Sequence, residues 1–447
     1  MKSIDKIPVG KVSRASKLIS TGLKVGTNQL KYYGDRLINP EDARERLNEK
    51  NAEDIYNSLS QLKGSSLKVA QMLSMDKNVL PEAYVEKFSL AQFSVPALSA
   101  PLVNKTFLKY FGQRPQELFD EFVSEASHAA SIGQVHKAVK DGKELAVKIQ
   151  YPGVAESISS DLAIVKPIAK QMFNLKGGDT ERYFREVESK LLEETDYVLE
   201  LNRSLEITQA CSVIPHLRFP NYYKDWSNER IITMDWMHGT HLSAFEKSNQ
   251  AQALADQLGQ TLWDFYMYQI HVLRKVHADP HPGNFLVNDQ GELVAIDFGC
   301  IKEIPESFYT PYFELADYEN IHNDELFEAK LFELEILKKE DSAEEHAFFK
   351  SFFQELLALF TTPLQSDSFD FNNADFFNKI AEKGQQISKD KAFRKFNQNR
   401  GSEHFIYMNR TFFGLYNLLF ALKSNVRVKD FVKYSPDPNL PIIKKAS

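Results

Sequence analysis

The chain has 447 residues, 43% hydrophobic and 26% charged, enough apolar material for two or three packed units and too much for a disordered polymer. Its formal net charge of −7 argues against a dedicated nucleic-acid binder. Only two cysteines, Cys211 and Cys300, are present, 89 residues apart; that excludes a disulfide framework and a zinc–thiolate site, and it fits a reducing compartment.

Residues 1–36 carry eight basic side chains against two acidic ones, a local +6 that leaves −13 on the remainder. Val12, Ala15, Ile19, Leu23 and Leu30 fall near helical spacing. The segment therefore reads either as a basic amphipathic helix on an anionic membrane or as a helix packed on the body with its lysines in water. Gly22, Gly26 and Gly34 weaken the helix. No stretch reaches the ~20 apolar residues of a membrane-spanning helix. The best, Thr411 to Leu422, has 12 residues and contains Asn417. No apolar run at the N-terminus serves as a signal-peptide core, so the expected location is cytoplasmic, with any membrane contact peripheral, at the inner face.

From Asn51 onward Ile55, Leu59, Leu62, Val69 and Leu73 recur at turn-like spacing, predicting helix until Leu80-Pro81. After Phe119 the texture changes. Gln134 to Val139 reads as a strand, Asp141-Gly142 as a hairpin turn, and Glu144 to Gln150 as its partner. Leu145, Val147 and Ile149 share one face of that strand; Ala146, Lys148 and Gln150 share the other. A helix follows from about Glu181 to Asn202, then a strand near Arg230 to Met234. The rest is mostly helical, interrupted by a strand–loop–strand from Val276 to Ile301. The 33 phenylalanines suggest aromatic-rich helical packing.

The sharpest chemical signal is His277-Ala278-Asp279-Pro280-His281-Pro282-Gly283-Asn284, followed by Asp297-Phe298-Gly299. An Asp, an Asn five residues on and an Asp-Phe-Gly thirteen further match the catalytic loop and metal-binding pattern of protein kinases. Asp279 would orient the proton of an attacking hydroxyl, and Asn284 and Asp297 would converge on Mg²⁺ from the two ends of a short hairpin. A plain polar turn would need neither both acids nor the Asn. His277, Asp279 and His281 also alternate like ligands of zinc or iron, but that reading leaves Asp297-Phe298-Gly299 and an upstream lysine unexplained. The lysine is Lys148, on the second strand of the hairpin, where kinases place the residue that contacts the α- and β-phosphates. Before it, Ala126 to His136 occupies the place of a glycine-rich phosphate loop. Ala129, Ala130, Ser131, Ile132 and Gly133 would line the nucleotide, and a loop mostly of alanine and serine should be stiffer than a glycine-rich one.

This combination resembles the UbiB/ADCK family of atypical protein-kinase-like proteins. The marks are Ala129 to His136, Val147-Lys148-Ile149-Gln150-Tyr151-Pro152-Gly153-Val154, His277 to Asn284, and Asp297-Phe298-Gly299. The resemblance covers most of residues 45–300, and extends more loosely to Arg410-Thr411-Phe412-Phe413-Gly414-Leu415. It implies a KxGQ motif on an N-terminal helical extension, here Lys68 to Gln71, and an ExD motif on the helix equivalent to kinase αC, here Glu194-Thr195-Asp196. In the family the extension folds over the active site and its lysine pairs with the ExD glutamate. On one continuous helix Asp196 and Glu200 would share a face, while Glu194 lies about 120° away. Glu194 is thus expected to face Lys68, and Glu200 to face Lys148. Two departures stand out: Ala70 replaces the glycine of KxGQ, and His128 replaces an alanine. No Ala-Pro-Glu follows Asp297-Phe298-Gly299, and the sequence there turns quickly helical.

The expected fold is α+β, a bilobal protein-kinase-like domain, predominantly helical, with an N-terminal helical extension. Its expected parts are a basic segment (1–50), the extension (51–118), an N-lobe (119–240) and a C-lobe (241–447), with Met234 and Asp235 in the hinge against adenine. The resemblance implies ATP and Mg²⁺ as cofactors and an ATPase or small-molecule or lipid kinase supporting isoprenoid quinone biosynthesis at a membrane. Its partners would be an anionic membrane surface and quinone-biosynthesis proteins or lipid intermediates. A phosphotransferase of the aminoglycoside/choline kinase type and a nucleotide-switched, non-catalytic scaffold remain the alternatives.

Overall fold

In the computed structural model, residues 40–62, 97–129, 132–172, 178–245, 251–389 and 400–434 are described, with Lys24, Thr27, Asn28 and Tyr32 nearer the N-terminus. The chain divides into two compact units, one comprising residues 1–201 and 221–236, the other residues 202–220 and 237–447.

The first unit is built on the hairpin anticipated from sequence alternation. Strands β3 (Gly133–Lys140) and β4 (Lys143–Gln150) pair antiparallel from Gly133↔Gln150 to Lys140↔Lys143. Asp141 and Gly142 join them with φ of 50° and 73°, the two left-handed positions of a type I′ turn, where a residue without a Cβ is unstrained. Short strands β1 (Glu121–Phe122) and β2 (His128–Ala129) both pair with β3, and β6 (Ile231–Asp235) pairs with β4. Leu145, Val147 and Ile149 are fully buried, each worth ~1.5–3 kcal/mol of apolar burial. They pack with Val103 and Phe107 of α2 (Ala100–Phe111), with Ile158 of α4 (Val154–Met172) and with Phe184 and Leu191 of α5 (Gly178–Glu194). Helix α1 (Pro40–Leu62) brings Ala52, Ile55 and Tyr56 to the same core, and the single-turn α3 (Pro115–Leu118) adds Leu118.

The opposite face of β4 departs from simple alternation. Gln150 is as buried as the apolar face, because its amide donates to the Thr195 carbonyl at 2.8 Å. That carbonyl is available because the single helix expected from Glu181 to Asn202 is broken. Helix α5 stops at Glu194, and α6 (Tyr197–Ala210) starts afresh. Asp196 is the reason. Its carboxylate accepts the Leu199 N–H at 2.9 Å, and its carbonyl receives the Glu200 N–H at 3.0 Å, so it caps α6 instead of continuing α5. Aspartate competes for nearby amides and favours caps over helix interiors. The expected like-charge pair of Asp196 and Glu200 on one helix face therefore does not form.

The second unit is mainly helical. It begins inside α6 and includes β5 (Leu217–Arg218). After β7 (Thr240–His241) and the short α7 (Leu242–Phe245), α8 (Gln252–Tyr268) runs into a wider π-helical turn that ends at Arg274 in the left-handed conformation. Four strands follow: β8 (Lys275–His277), β9 (Phe285–Val287), β10 (Leu293–Ala295) and β11 (Ile301–Glu303). The remainder comprises α9 (Glu306–Glu314), α10 (Tyr318–His322), α11 (Asp324–Glu333), α12 (Ala343–Phe360), β12 (Ser368–Asp370), α13 (Ala374–Lys389), α14 (Glu403–Leu422) and β13 (Asn425–Arg427). The phenylalanine richness serves this unit. Phe313, Phe353, Phe371, Phe405 and Phe412 are buried, and most meet other rings edge-on. Among the described residues no helix is long and apolar enough to cross a membrane.

One buried carboxyl gives this unit a pH signature. Asp264 on α8 is 2% exposed and accepts from Gln260 at 2.9 Å; burial pushes its pKa up from 3.8 to about 6. Because the folded state holds the proton more tightly, stability is greatest below the unfolded pKa and falls as pH rises from about 4 through about 6. Asp264→Asn should remove that fall. Denaturation at pH 4.5 and 7 is expected to show the variant gaining about 2 kcal/mol on the parent at the higher pH. Parallel profiles would place the titration elsewhere.

Candidate functional site

Two nested hairpins assemble the chemistry in the second unit. β8 pairs antiparallel with β11, with His277 opposite Ile301, and β9 pairs with β10, with Phe285 opposite Ala295. The segments joining the strands, 278–284 and 296–300, must therefore run side by side. The Ala278 N–H donates to the Cys300 carbonyl at 2.8 Å, and the Ile296 N–H donates to the Asn284 carbonyl at 3.1 Å. Asn284 thus lies against the residue preceding Asp297. Its amide nitrogen donates to the Asp279 carbonyl at 2.9 Å, which turns the amide oxygen the other way. One Asp297 oxygen accepts the Gly299 N–H at 2.8 Å, a local turn that fixes the carboxylate. Phe298 is buried against Phe219, Phe265 and His277 and locks the turn from below.

The structure therefore brings Asp279, Asn284 and Asp297 together on adjacent segments. An amide oxygen and a carboxylate are hard donors, the kind a small divalent cation accepts while keeping phosphate oxygens and waters for the rest of its shell. The two histidines of the same motif part company. His277 is buried, its Nδ1 3.5 Å from the Tyr266 hydroxyl, and burial holds its pKa down. His281 is exposed, and its Nδ1 accepts the Gly283 N–H at 3.1 Å. Among the described residues no group of three or more His, Cys, Asp and Glu side chains could hold a metal ion.

Asp279 has a partner that motif spacing does not reveal. Arg410 of α14 donates from Nη2 to Asp279 Oδ1 at 3.2 Å, across 131 residues of sequence. One turn on, Gly414 lies so close to the loop that a Cβ there would stand 2.2 Å from Pro280 Cγ. The sequence signal was Arg410 to Leu415, whose place in the fold is visible only here.

In the first unit Lys148 Nζ meets Glu200 Oε1 at 2.5 Å, with side chains 19% and 9% exposed. The amine also lies 5.2 Å from the centre of the Tyr197 ring. Glu200 is placed by the cap at Asp196, whereas Glu194 ends the preceding helix. The alanine-rich segment is partly described. Ala129 closes β2, Ile132 accepts the Tyr151 N–H at 2.9 Å, and Gly133 opens β3. Ala130 and Ser131, as well as Lys68, Ala70 and Gln71, lie outside the described residues. Met234 pairs with Ala146 and Asp235 with Leu145. The Asp235 carboxylate is already occupied by the Asn221 backbone and side-chain amides, at 3.0 and 2.6 Å, and by the Tyr223 hydroxyl, at 2.6 Å. Its backbone N–H is taken as well, donating to the Asn221 carbonyl at 3.0 Å.

A family model described as the ABC1 atypical kinase-like domain matches residues 90–325. The chain belongs to that family. Among its ABC1-family relatives, the probable serine/threonine-protein kinase abkA of Dictyostelium discoideum is 27% identical over 330 residues, covering 69% of this chain and 58% of its own length. Atypical kinase COQ8, mitochondrial, of Saccharomyces cerevisiae is 29% identical over 281 residues, covering 62% and 56%. The chain thus spans less than two thirds of the length of these curated relatives. A solved structure of Rv3197 from Mycobacterium tuberculosis, in complex with erythromycin, superposes with a TM-score of 0.58 at 24% identity, covering 88% of this chain and 97% of that one. The fold is kinase-like and predominantly helical, as the sequence led us to expect.

Gly133 marks how tightly the segment before β3 is held. A Cβ there would sit 2.7 Å from both the Ile149 carbonyl oxygen and the Tyr197 hydroxyl. Gly133→Ala should therefore shift β3 against β4 and α6, lowering stability by about 1–3 kcal/mol in a denaturant titration. An unchanged midpoint would mean that the strand yields without cost.

Proposed function

We propose that this ABC1-family chain binds Mg·ATP and transfers or hydrolyses its terminal phosphoryl group, in support of isoprenoid quinone lipid synthesis at a membrane surface. The observation that carries the reading is the nested hairpin pair, which sets Asp279, Asn284 and Asp297 side by side. Lys148, held by Glu200, orients the phosphates, and Ala129 to Gly133 cover them. Met234 and the backbone carbonyl of Asp235 face the adenine. Asn284 and Asp297 would hold Mg²⁺, which would supply charge neutralisation for the phosphates. Asp279 directs the attacking hydroxyl or water in line with the bond that breaks. Glu194 and Asp196 belong to the family's regulatory motif, whose other members, Lys68 and Gln71, lie outside the described residues.

The short path after Asp297 supports a small acceptor. Strand β11 begins at Ile301 and α9 at Glu306, leaving no long activation segment on which a protein substrate could dock. Membrane and quinone involvement rest on the family and on the basic charge of residues 1–36.

Phosphate release from Mg·ATP by the purified protein, with and without anionic lipid vesicles, tests the reading. We expect turnover that rises with vesicles and falls at least 100-fold in Asp279→Asn. Asp297→Asn should abolish the Mg²⁺-dependent part of the thermal shift caused by ATP. Nucleotide binding without turnover in either condition would replace the enzyme with a nucleotide-switched scaffold. ADP formation without phosphate release, seen only with an added small-molecule alcohol and indifferent to lipid, would place the chain with phosphotransferases of the aminoglycoside/choline kinase type.

A further inference from the structure

Asp279 is the residue on which the proposed reaction turns, and its carboxylate is held from a helix far away in sequence. Helix α14 is rigidly seated. Met408, Thr411, Phe412 and Leu415 are buried, Asn409 accepts from the Tyr312 hydroxyl of α9 at 2.9 Å, and the Thr411 hydroxyl donates to the Tyr407 carbonyl at 2.8 Å. Arg410 and Gly414 are four residues apart, on one face of this helix. That face meets the loop 277–284 in two ways. At Gly414 the helix backbone comes so close that any side chain would strike Pro280, and at Arg410 a guanidinium donates to Asp279 Oδ1 at 3.2 Å. A close backbone contact beside a charge-assisted hydrogen bond fixes both the position of the loop and the rotation of the carboxylate.

We propose that Arg410 is a positioning residue for the reaction at Asp279. By holding Oδ1, it directs Oδ2 toward the incoming hydroxyl or water. Gly414 is the second half of the device, since it lets α14 come near enough for the arginine to reach. The inference rests on the role given to Asp279 above. Its charge pair is 40–46% exposed on both sides, so the energy of the pair for folding is small and its value lies in orientation.

Four variants and two kinds of measurement test this. In steady-state phosphate release, Arg410→Gln should lower kcat 10- to 100-fold while KM for ATP stays within about twofold, because binding does not use the carboxylate's orientation. Arg410→Lys should recover part of that loss, since an ammonium restores the charge without the planar fork. Arg410→Gln combined with Asp279→Asn should be no slower than Asp279→Asn alone, because an arginine that acts through Asp279 has nothing left to act on. Amide hydrogen exchange, which needs no turnover, should be faster in Arg410→Gln at Ala278, His281 and Asn284, whose N–H groups bond to Cys300, Asp279 and His281, with the buried amides of α14 unchanged.

Unaltered kcat in Arg410→Gln, or losses that multiply in the double variant, would overturn the proposal. If the parent protein neither releases phosphate nor forms ADP with an added acceptor, the functional reading fails by itself. Arg410 is then judged on exchange alone, and unchanged loop exchange overturns its role.

Discussion

Everything chemical in the second unit depends on the register of four short strands. Because β8 pairs with β11 while β9 pairs with β10 between them, the two connecting segments have no freedom to separate. Backbone bonds from Ala278 to Cys300 and from Ile296 to Asn284 tie them at both ends. A shift of one residue in either ladder would send Asn284 or Asp297 to the other face. The buried Phe298 opposes such a slip, since its ring would have to leave a pocket of three aromatic neighbours. Precision at the site thus comes from main-chain pairing and one apolar anchor, with the polar side chains as the beneficiaries.

The first unit meets a different demand, which is to keep a charged amine in a half-buried position. Lys148 sits on a strand whose other face is the core, so its charge needs a close partner. Glu200 supplies it from the first turn of α6, where the helix dipole also favours an acid. Its placement follows from Asp196, which ends one helix order and begins the next. The same break frees the Thr195 carbonyl for Gln150. Strand and helix are therefore joined by one ion pair and one buried amide bond, and Gly133 admits the Tyr197 hydroxyl beside them.

Helix α14 shows how a fold recruits residues that a local motif cannot contain. The loop 277–284 holds four of its own hydrogen bonds, yet nothing in it fixes the rotation of the Asp279 side chain. That constraint arrives from the end of the chain, through a helix pressed against Pro280. Seating α14 takes much of the aromatic content of the second unit, with Tyr312, Phe313, Phe405 and Phe412 packed ring to ring.

Much of this was legible in the sequence wherever chemistry is written in local spacing. Asp141-Gly142 can hardly be anything but a tight turn, and Leu145, Val147 and Ile149 declare a buried strand face. Asp279, Asn284 and Asp297 announce their grouping because a short hairpin permits no other. Lys148 and Glu200, 52 residues apart, could be matched through family resemblance, and they do pair. Apolar periodicity predicts one continuous helix from Glu181 to Asn202 because it does not register a cap, and Asp196 breaks that helix by competing for backbone amides. Arg410 stood in a recognised stretch, but its meeting with Asp279 had no local signal. Sequence alone determined which groups the protein possesses and which short segments hold them. Tertiary structure alone decided which carboxylate is clamped and from where, because a contact across 131 residues depends on how helices pack and not on how residues are spaced.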